Sequence, residues 1–199
     1  MINVANVVTI ARTFLALITV SLLWSTDERT LWCCFFLTIL VIYADALDGF
    51  LARKLKQASK FGAALDIAAD RLIELIYWVV FACLSWIPVW VPILFLVRGI
   101  FVDAIRAHYG EQGFTAFGDK TMMKSAVSKF LVASNFSRFS YAVAKAVAFC
   151  LLILLHIPNL HVPYLEAITN FFVYFSCAFC IIRGLPVLIE GRTLFFSNS

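Results

Sequence analysis

The chain has 199 residues, 63% of them hydrophobic and 14% charged, with a mean hydropathy of +0.93 and a net charge of +4. That composition excludes an ordinary soluble domain and predicts an all-α, polytopic membrane protein forming a single domain over residues 1–199. No nucleic-acid partner is expected.

Six apolar spans are predicted, at 4–24, 31–52, 62–85, 88–109, 137–157 and 165–187. Each is about twenty residues, the length a helix needs to cross a bilayer. The first run is long enough to span and lacks a small-residue cleavage site, so it reads as a span rather than a removable leader. Only Arg29 of the sixteen Lys and Arg falls in the loops at 25–30, 86–88 and 157–164, where Asp27 and Glu28 balance it. Basic residues stay on the cytoplasmic side, which places both termini there, in a plasma or inner membrane. Cysteines 33, 34, 83, 150, 177 and 180 all lie in apolar runs and read as small packing residues.

The first span opens with Asn6, Thr9 and Arg12, three apart on one helix face near the cytoplasmic surface. Besides capping and snorkelling, this face is suited to lining a polar cavity. The second and third spans supply the rest of that cavity. From Asp45 to Asp70 the chain reads DALDGFLARKLKQASKFGAALDIAAD, with four of the twelve acidic residues set in apolar sequence. Asp45 and Asp48 share one helix face, and Asp66 and Asp70 share another. The pairs are symmetric about residue 57, in a polar, basic break where the chain can reverse. A helical hairpin there brings all four carboxylates to one depth, about 12 Å beyond the turn. Four facing carboxylates cannot all ionise in a low dielectric without a cation, and hard oxygen ligands suit one or two Mg²⁺ or Mn²⁺ ions. Gly49 leaves room for a ligand to approach the backbone, and Arg53 is placed for a bidentate grip on a phosphate. Ser59 offers a hydroxyl to the ligand or caps the next helix.

Arg98 and Arg106 lie in the fourth span. After it, residues 110–118 read as a loop and TMMKSAVSKFLVAS as an amphipathic piece lying on the cytoplasmic surface, with Lys124 and Lys129 toward anionic lipid. Arg138, Tyr141 and Lys145 then share one face of the fifth span, and Arg183 lies in the sixth. Cations so deep need anionic partners, from neighbouring helices or from a substrate. Around an acidic metal site, the set Arg106, Lys129, Arg138, Lys145 and Arg183 points to a phosphorylated acceptor.

Asp45, Asp48, Gly49, Ala52, Arg53, Gly62, Asp66 and Asp70 fit D-x2-D-G-x2-A-R-x8-G-x3-D-x3-D without mismatch. This resembles the signature of the CDP-alcohol phosphatidyltransferase family. The resemblance implies two divalent metals held by Asp45, Asp48 and Asp66, with Asp70 close to them and acting as general base. It implies CDP-lipid contacts from Asn6, Thr9, Gly49, Arg53 and Ser59, and a homodimer. The implied reaction transfers a phosphatidyl group from CDP-diacylglycerol to the hydroxyl of a small phosphorylated alcohol, releasing CMP. Length and the N-x2-T-x2-R opening favour glycerol 3-phosphate as acceptor. Inositol phosphate stays open, because the fifth span reads AKAVA where the glycerol 3-phosphate subgroup usually has G-K-x-K-T. Two other classes remain, a cation transporter using the carboxylates as an ion site and a non-catalytic membrane scaffold. The outer halves of the spans carry almost nothing ionisable, which disfavours a through path.

Overall fold

The computed structural model describes residues 4–54, 60–111, 125 and 128–191, with side chains for all of these except 4–5, 46–54, 60, 111 and 133. Among the described residues six α-helices follow in order: α1 (Val4–Leu22), α2 (Glu28–Lys54), α3 (Lys60–Cys83), α4 (Trp90–Glu111), α5 (Asn135–Leu155) and α6 (Leu165–Glu190). A π-helical turn, Lys129–Ala133, precedes α5. Each helix starts and ends within three residues of a predicted span, and no strand occurs among the described residues, so the all-α expectation holds. Among the described residues α5 and α6 are long and apolar enough to cross a membrane, while the apolar part of α1, Asn6–Leu22, is shorter.

The helix ends follow from local chemistry. Asp27 caps α2: its Oδ2 accepts hydrogen bonds from the Thr30 backbone N–H and hydroxyl, both at 2.9 Å. At the end of α3, the Trp86 N–H donates to the Phe81 carbonyl at 2.9 Å and the Ser85 N–H to the Ala82 carbonyl at 3.0 Å. Ser85 sits at φ 62°, the left-handed position that this closing motif normally gives to glycine. The six cysteines are free thiols, with Cys34, Cys177 and Cys180 buried.

The chain divides into two compact units, one of Met1–Pro92 with Ala148–Thr169, the other of Ile93–Val147 with Asn170–Ser199. In the first, α1 packs against both α2 and α3. The buried stripes keep helical spacing: Leu31, Cys34, Thr38 and Val41 on α2, and Ala69, Ile73, Tyr77 and Phe81 on α3. Their few polar atoms are satisfied inside the core, as burial demands. The Thr38 hydroxyl donates to the Cys34 carbonyl at 2.8 Å and lies 3.0 Å from the Tyr77 hydroxyl. Phe149 stacks on Tyr77 with centroids 5.0 Å apart and meets Trp78 edge-on at 4.8 Å.

In the second unit, Val102 and Ile105 of α4, Val132 of the π turn and Val187 of α6 form a buried cluster. The amphipathic piece was expected along a membrane surface. Its described part turns Val132 into this cluster and leaves Lys129 and Phe130 exposed.

Replacing Ser85 by Gly removes the left-handed penalty of a Cβ and is expected to stabilise the protein by about 0.5–1 kcal/mol, read as a rise in melting temperature. The Thr30 backbone N–H, then its hydroxyl, hold the exposed Asp27 carboxyl below its usual pKa. A depressed carboxylate contributes stability above its unfolded pKa and loses it as the pH falls through the folded one. Thermal unfolding is therefore expected to show an acid-side loss below about pH 4 that Asp27→Asn reduces.

Candidate active site

Three helices converge on one point of the first unit. Asp66 and Asp70 lie one turn apart on α3, Asp45 comes from α2 and Arg12 from α1. One oxygen from each of the three carboxylates lies within 4.8 Å of the others. The Arg12 guanidinium joins them. Its Nη1 donates to Asp45 Oδ1, and its Nη2 donates to Asp70 Oδ1 at 2.8 Å and to Asp66 Oδ1 at 3.2 Å. The Arg12 side chain is 3% exposed, whereas the Asp45, Asp66 and Asp70 side chains are 50%, 42% and 49% exposed. The guanidinium is thus the inner side of the cluster and the carboxylates are its half-open outer side.

This arrangement fits a divalent cation. Three ionised carboxylates at such separations leave two negative charges beyond what Arg12 compensates. The donors are hard oxygens, and the open side admits a hydrated ion.

The sequence placed Asp48 in the same group. Its backbone lies on α2 about a turn past Asp45, with those of Gly49 and Arg53 further on, but the side chains of Asp48 and Arg53 are outside the described residues, and Ser59 is outside them altogether. Thr9 is buried one turn before Arg12, with its carbonyl accepting the Thr13 hydroxyl at 2.8 Å, and Asn6 is half-buried. The sequence singled out Arg12 only as part of a polar face. Its role as the shared partner of three aspartates was not visible there, because spacing along one helix says nothing of what another helix presents to it.

The basic residues predicted to meet an acceptor phosphate belong to the second unit. Two of them, Lys145 and Arg183, each lie over the Tyr141 ring, with Lys145 Nζ 4.4 Å and Arg183 Cζ 5.6 Å from its centroid. Arg98 joins them at 5.9 Å, although the sequence reading left it out of the acceptor set. An aromatic face attracts cations and lets several share one place. Arg183 also donates from Nη1 to the Ser137 hydroxyl at 2.5 Å and from Nη2 to the Val132 carbonyl at 3.2 Å, tying α6 to α5 and the π turn. Arg106 is half-buried, while Lys129 and Arg138 are exposed. Gly184 makes room for Arg98: a Cβ there would meet the Arg98 Cγ at 2.8 Å.

A sequence profile described as CDP-alcohol phosphatidyltransferase matches residues 2–182. The chain belongs to the CDP-alcohol phosphatidyltransferase family. The match runs through both compact units and includes all four motif aspartates.

Among curated family relatives, the chain is 40% identical over 82 residues to the CDP-diacylglycerol–glycerol-3-phosphate 3-phosphatidyltransferase of Cereibacter sphaeroides, covering 40% of this chain and 37% of that one. The protein of the same name from Wigglesworthia glossinidia brevipalpis is 27% identical over 146 residues, 70% of this chain and 75% of that one. A Mycobacterium bovis protein that carries the provisional name cardiolipin synthase is 32% identical over 89 residues, 45% of this chain and 43% of that one. The chain spans less than half the length of the first two relatives that it matches, 37% and 46%.

Gly184→Ala is expected to push Arg98 from the Tyr141 ring and to cost about 1–3 kcal/mol, the range for overpacking a filled site. The check is a lowered melting temperature, with Gly99→Ala as control, because a Cβ at Gly99 meets nothing within 4 Å.

Proposed function

We propose that this chain transfers a phosphatidyl group from CDP-diacylglycerol to the hydroxyl of glycerol 3-phosphate, releasing CMP and forming phosphatidylglycerophosphate. The observation that carries this reading is the convergence of Asp45, Asp66 and Asp70 within 4.8 Å in a chain of this family. The relatives named for that reaction support the choice of acceptor.

In the proposed mechanism Asp45, Asp48 and Asp66 hold two Mg²⁺ or Mn²⁺ ions, with Asp70 beside them. When bound, the metals neutralise charge that develops on the donor pyrophosphate and its CMP leaving group. Asn6, Thr9, Gly49, Arg53 and Ser59 orient the CDP end of the donor. Asp70 takes the proton from the acceptor hydroxyl as its oxygen forms a bond to the lipid-side phosphorus. The bond from that phosphorus to the bridging oxygen breaks, and the electron pair leaves with CMP. Arg106, Lys129, Arg138, Lys145 and Arg183 attract the acceptor phosphate, and the gathering of Lys145, Arg183 and Arg98 on Tyr141 supports a shared anion preference.

The chain would work as one domain in the plasma or inner membrane, as a homodimer, with six spans and both termini and the site on the cytoplasmic side. Large apolar side chains such as Phe14, Phe36, Phe136, Phe139 and Phe171, each more than 60% exposed, support a lipid-facing exterior. The second reading keeps the chemistry and changes the acceptor to inositol phosphate. It is favoured by the sequence AKAVA at residues 144–148, which retains one lysine of the usual G-K-x-K-T.

The test is CMP release from CDP-diacylglycerol and Mg²⁺ by the purified protein in detergent, with glycerol 3-phosphate, inositol phosphate, serine and inositol offered singly. Glycerol 3-phosphate is expected to drive release. Asp66→Asn and Asp70→Asn are each expected to lower it by at least about a hundredfold, the first by removing a metal ligand and the second by removing the base. Full activity in both variants would sink the site assignment, and release with inositol phosphate alone would transfer the reading to that acceptor.

A further inference from the structure

We infer that Arg12 is a positioning residue for the metal centre: it gathers the carboxylates of α2 and α3 and stays beneath them when the cation binds. This inference rests on the metal reading of the aspartate cluster and adds to it a residue from a third helix.

Three observations carry it. The first is geometry. One planar guanidinium reaches Asp45 with Nη1 and both Asp66 and Asp70 with Nη2, so a single side chain of α1 spans carboxylates from two other helices. A fork with two separated nitrogens can do this, whereas the single ammonium of lysine offers one point. The second is layering. Arg12 is 3% exposed and its partners 42–50%, so the guanidinium lies on the protein side of the carboxylates and a cation arriving from outside meets them first. The third is that Arg12 donates to one oxygen of each of the three carboxylates. Fixing one oxygen of each group from within sets the direction of the other, which is how outer-shell partners orient metal ligands.

Electrostatics alone opposes a guanidinium next to a metal, so the sign of its effect on metal affinity is the informative quantity. If Arg12 acted only as a counter-cation occupying the metal's place, removing it would tighten binding. If it orients the ligands, removing it weakens binding. A purely structural contribution to α1 packing would lower stability without singling out the metal.

The experiment measures Mn²⁺ affinity of the full-length protein in detergent, without lipid substrate, from the loss of the free Mn²⁺ electron paramagnetic resonance signal. Arg12→Gln and Arg12→Lys are both expected to weaken binding by roughly ten- to a hundredfold, the Lys variant recovering little despite its charge. The Lys variant also serves where the Gln variant fails to fold. Thr19→Ala, which opens a buried place on α1 two turns away, is expected to lower the melting temperature and leave Mn²⁺ affinity unchanged. Unchanged or tighter binding in the Arg12 variants, or full affinity in Arg12→Lys, would overturn the inference. A wild-type protein that binds no Mn²⁺ would remove the metal reading together with this inference. Wild-type binding without CMP release would remove the proposed reaction and leave the role of Arg12 standing.

Discussion

Charge compensation at the meeting point of α1, α2 and α3 is the constraint on which the site depends. Two like charges about 4 Å apart repel by roughly 1 kcal/mol in water and about 4 kcal/mol at an effective dielectric near 20. Asp45, Asp66 and Asp70 impose that repulsion three times over, half-open to their surroundings. A cation held among them relieves it, and Arg12 supplies one from inside the protein. The excess of carboxylates over guanidinium suits the cluster to a divalent ion.

The apolar core of the first unit gives this polar point its rigidity. Along α2 and α3 the buried stripes run from the aspartates toward Thr38, Tyr77 and Phe81, where hydroxyls bond inside the core, Tyr77 stacks on Phe149 and Phe81 meets the same ring at a tilt. A packed stripe fixes the rotation of each helix about its axis. Because Asp66 and Ala69, or Asp70 and Ile73, are separated by three residues, fixing the apolar side fixes where the acids project. Packing and chemistry are therefore set by the same helical register.

In the second unit the polar groups are handled differently. Lys145, Arg98 and Arg183 gather on the Tyr141 ring, and Arg183 spends two of its donors on Ser137 and the Val132 carbonyl. An aromatic face lets positive groups approach one another with less penalty than an apolar wall would. This unit thus holds a concentration of positive charge, whereas the first holds the acidic cluster.

Hydrophobic run lengths alone determined the six helices to within three residues at each end, because a long apolar run has few ways to satisfy its backbone other than as a helix. The aspartate spacing likewise announced an acidic cluster, of which Asp45, Asp66 and Asp70 meet in the structure, since three- and four-residue intervals fix which side chains share a face; the family was announced by the resemblance of the whole motif. What only the tertiary structure decided was which groups meet across helices. Arg12 was legible as polar, but not as the common partner of Asp45, Asp66 and Asp70; Arg98 was legible as a cation in an apolar helix, but not as a neighbour of Tyr141 and Gly184. The amphipathic stretch before α5 gave its two faces, but not that Val132 would be covered by Val102, Ile105 and Val187 rather than by lipid. Periodicity reports the direction of a side chain relative to its own helix axis, whereas its partner depends on how separate helices rotate and pack, and that is settled only when the whole chain has folded.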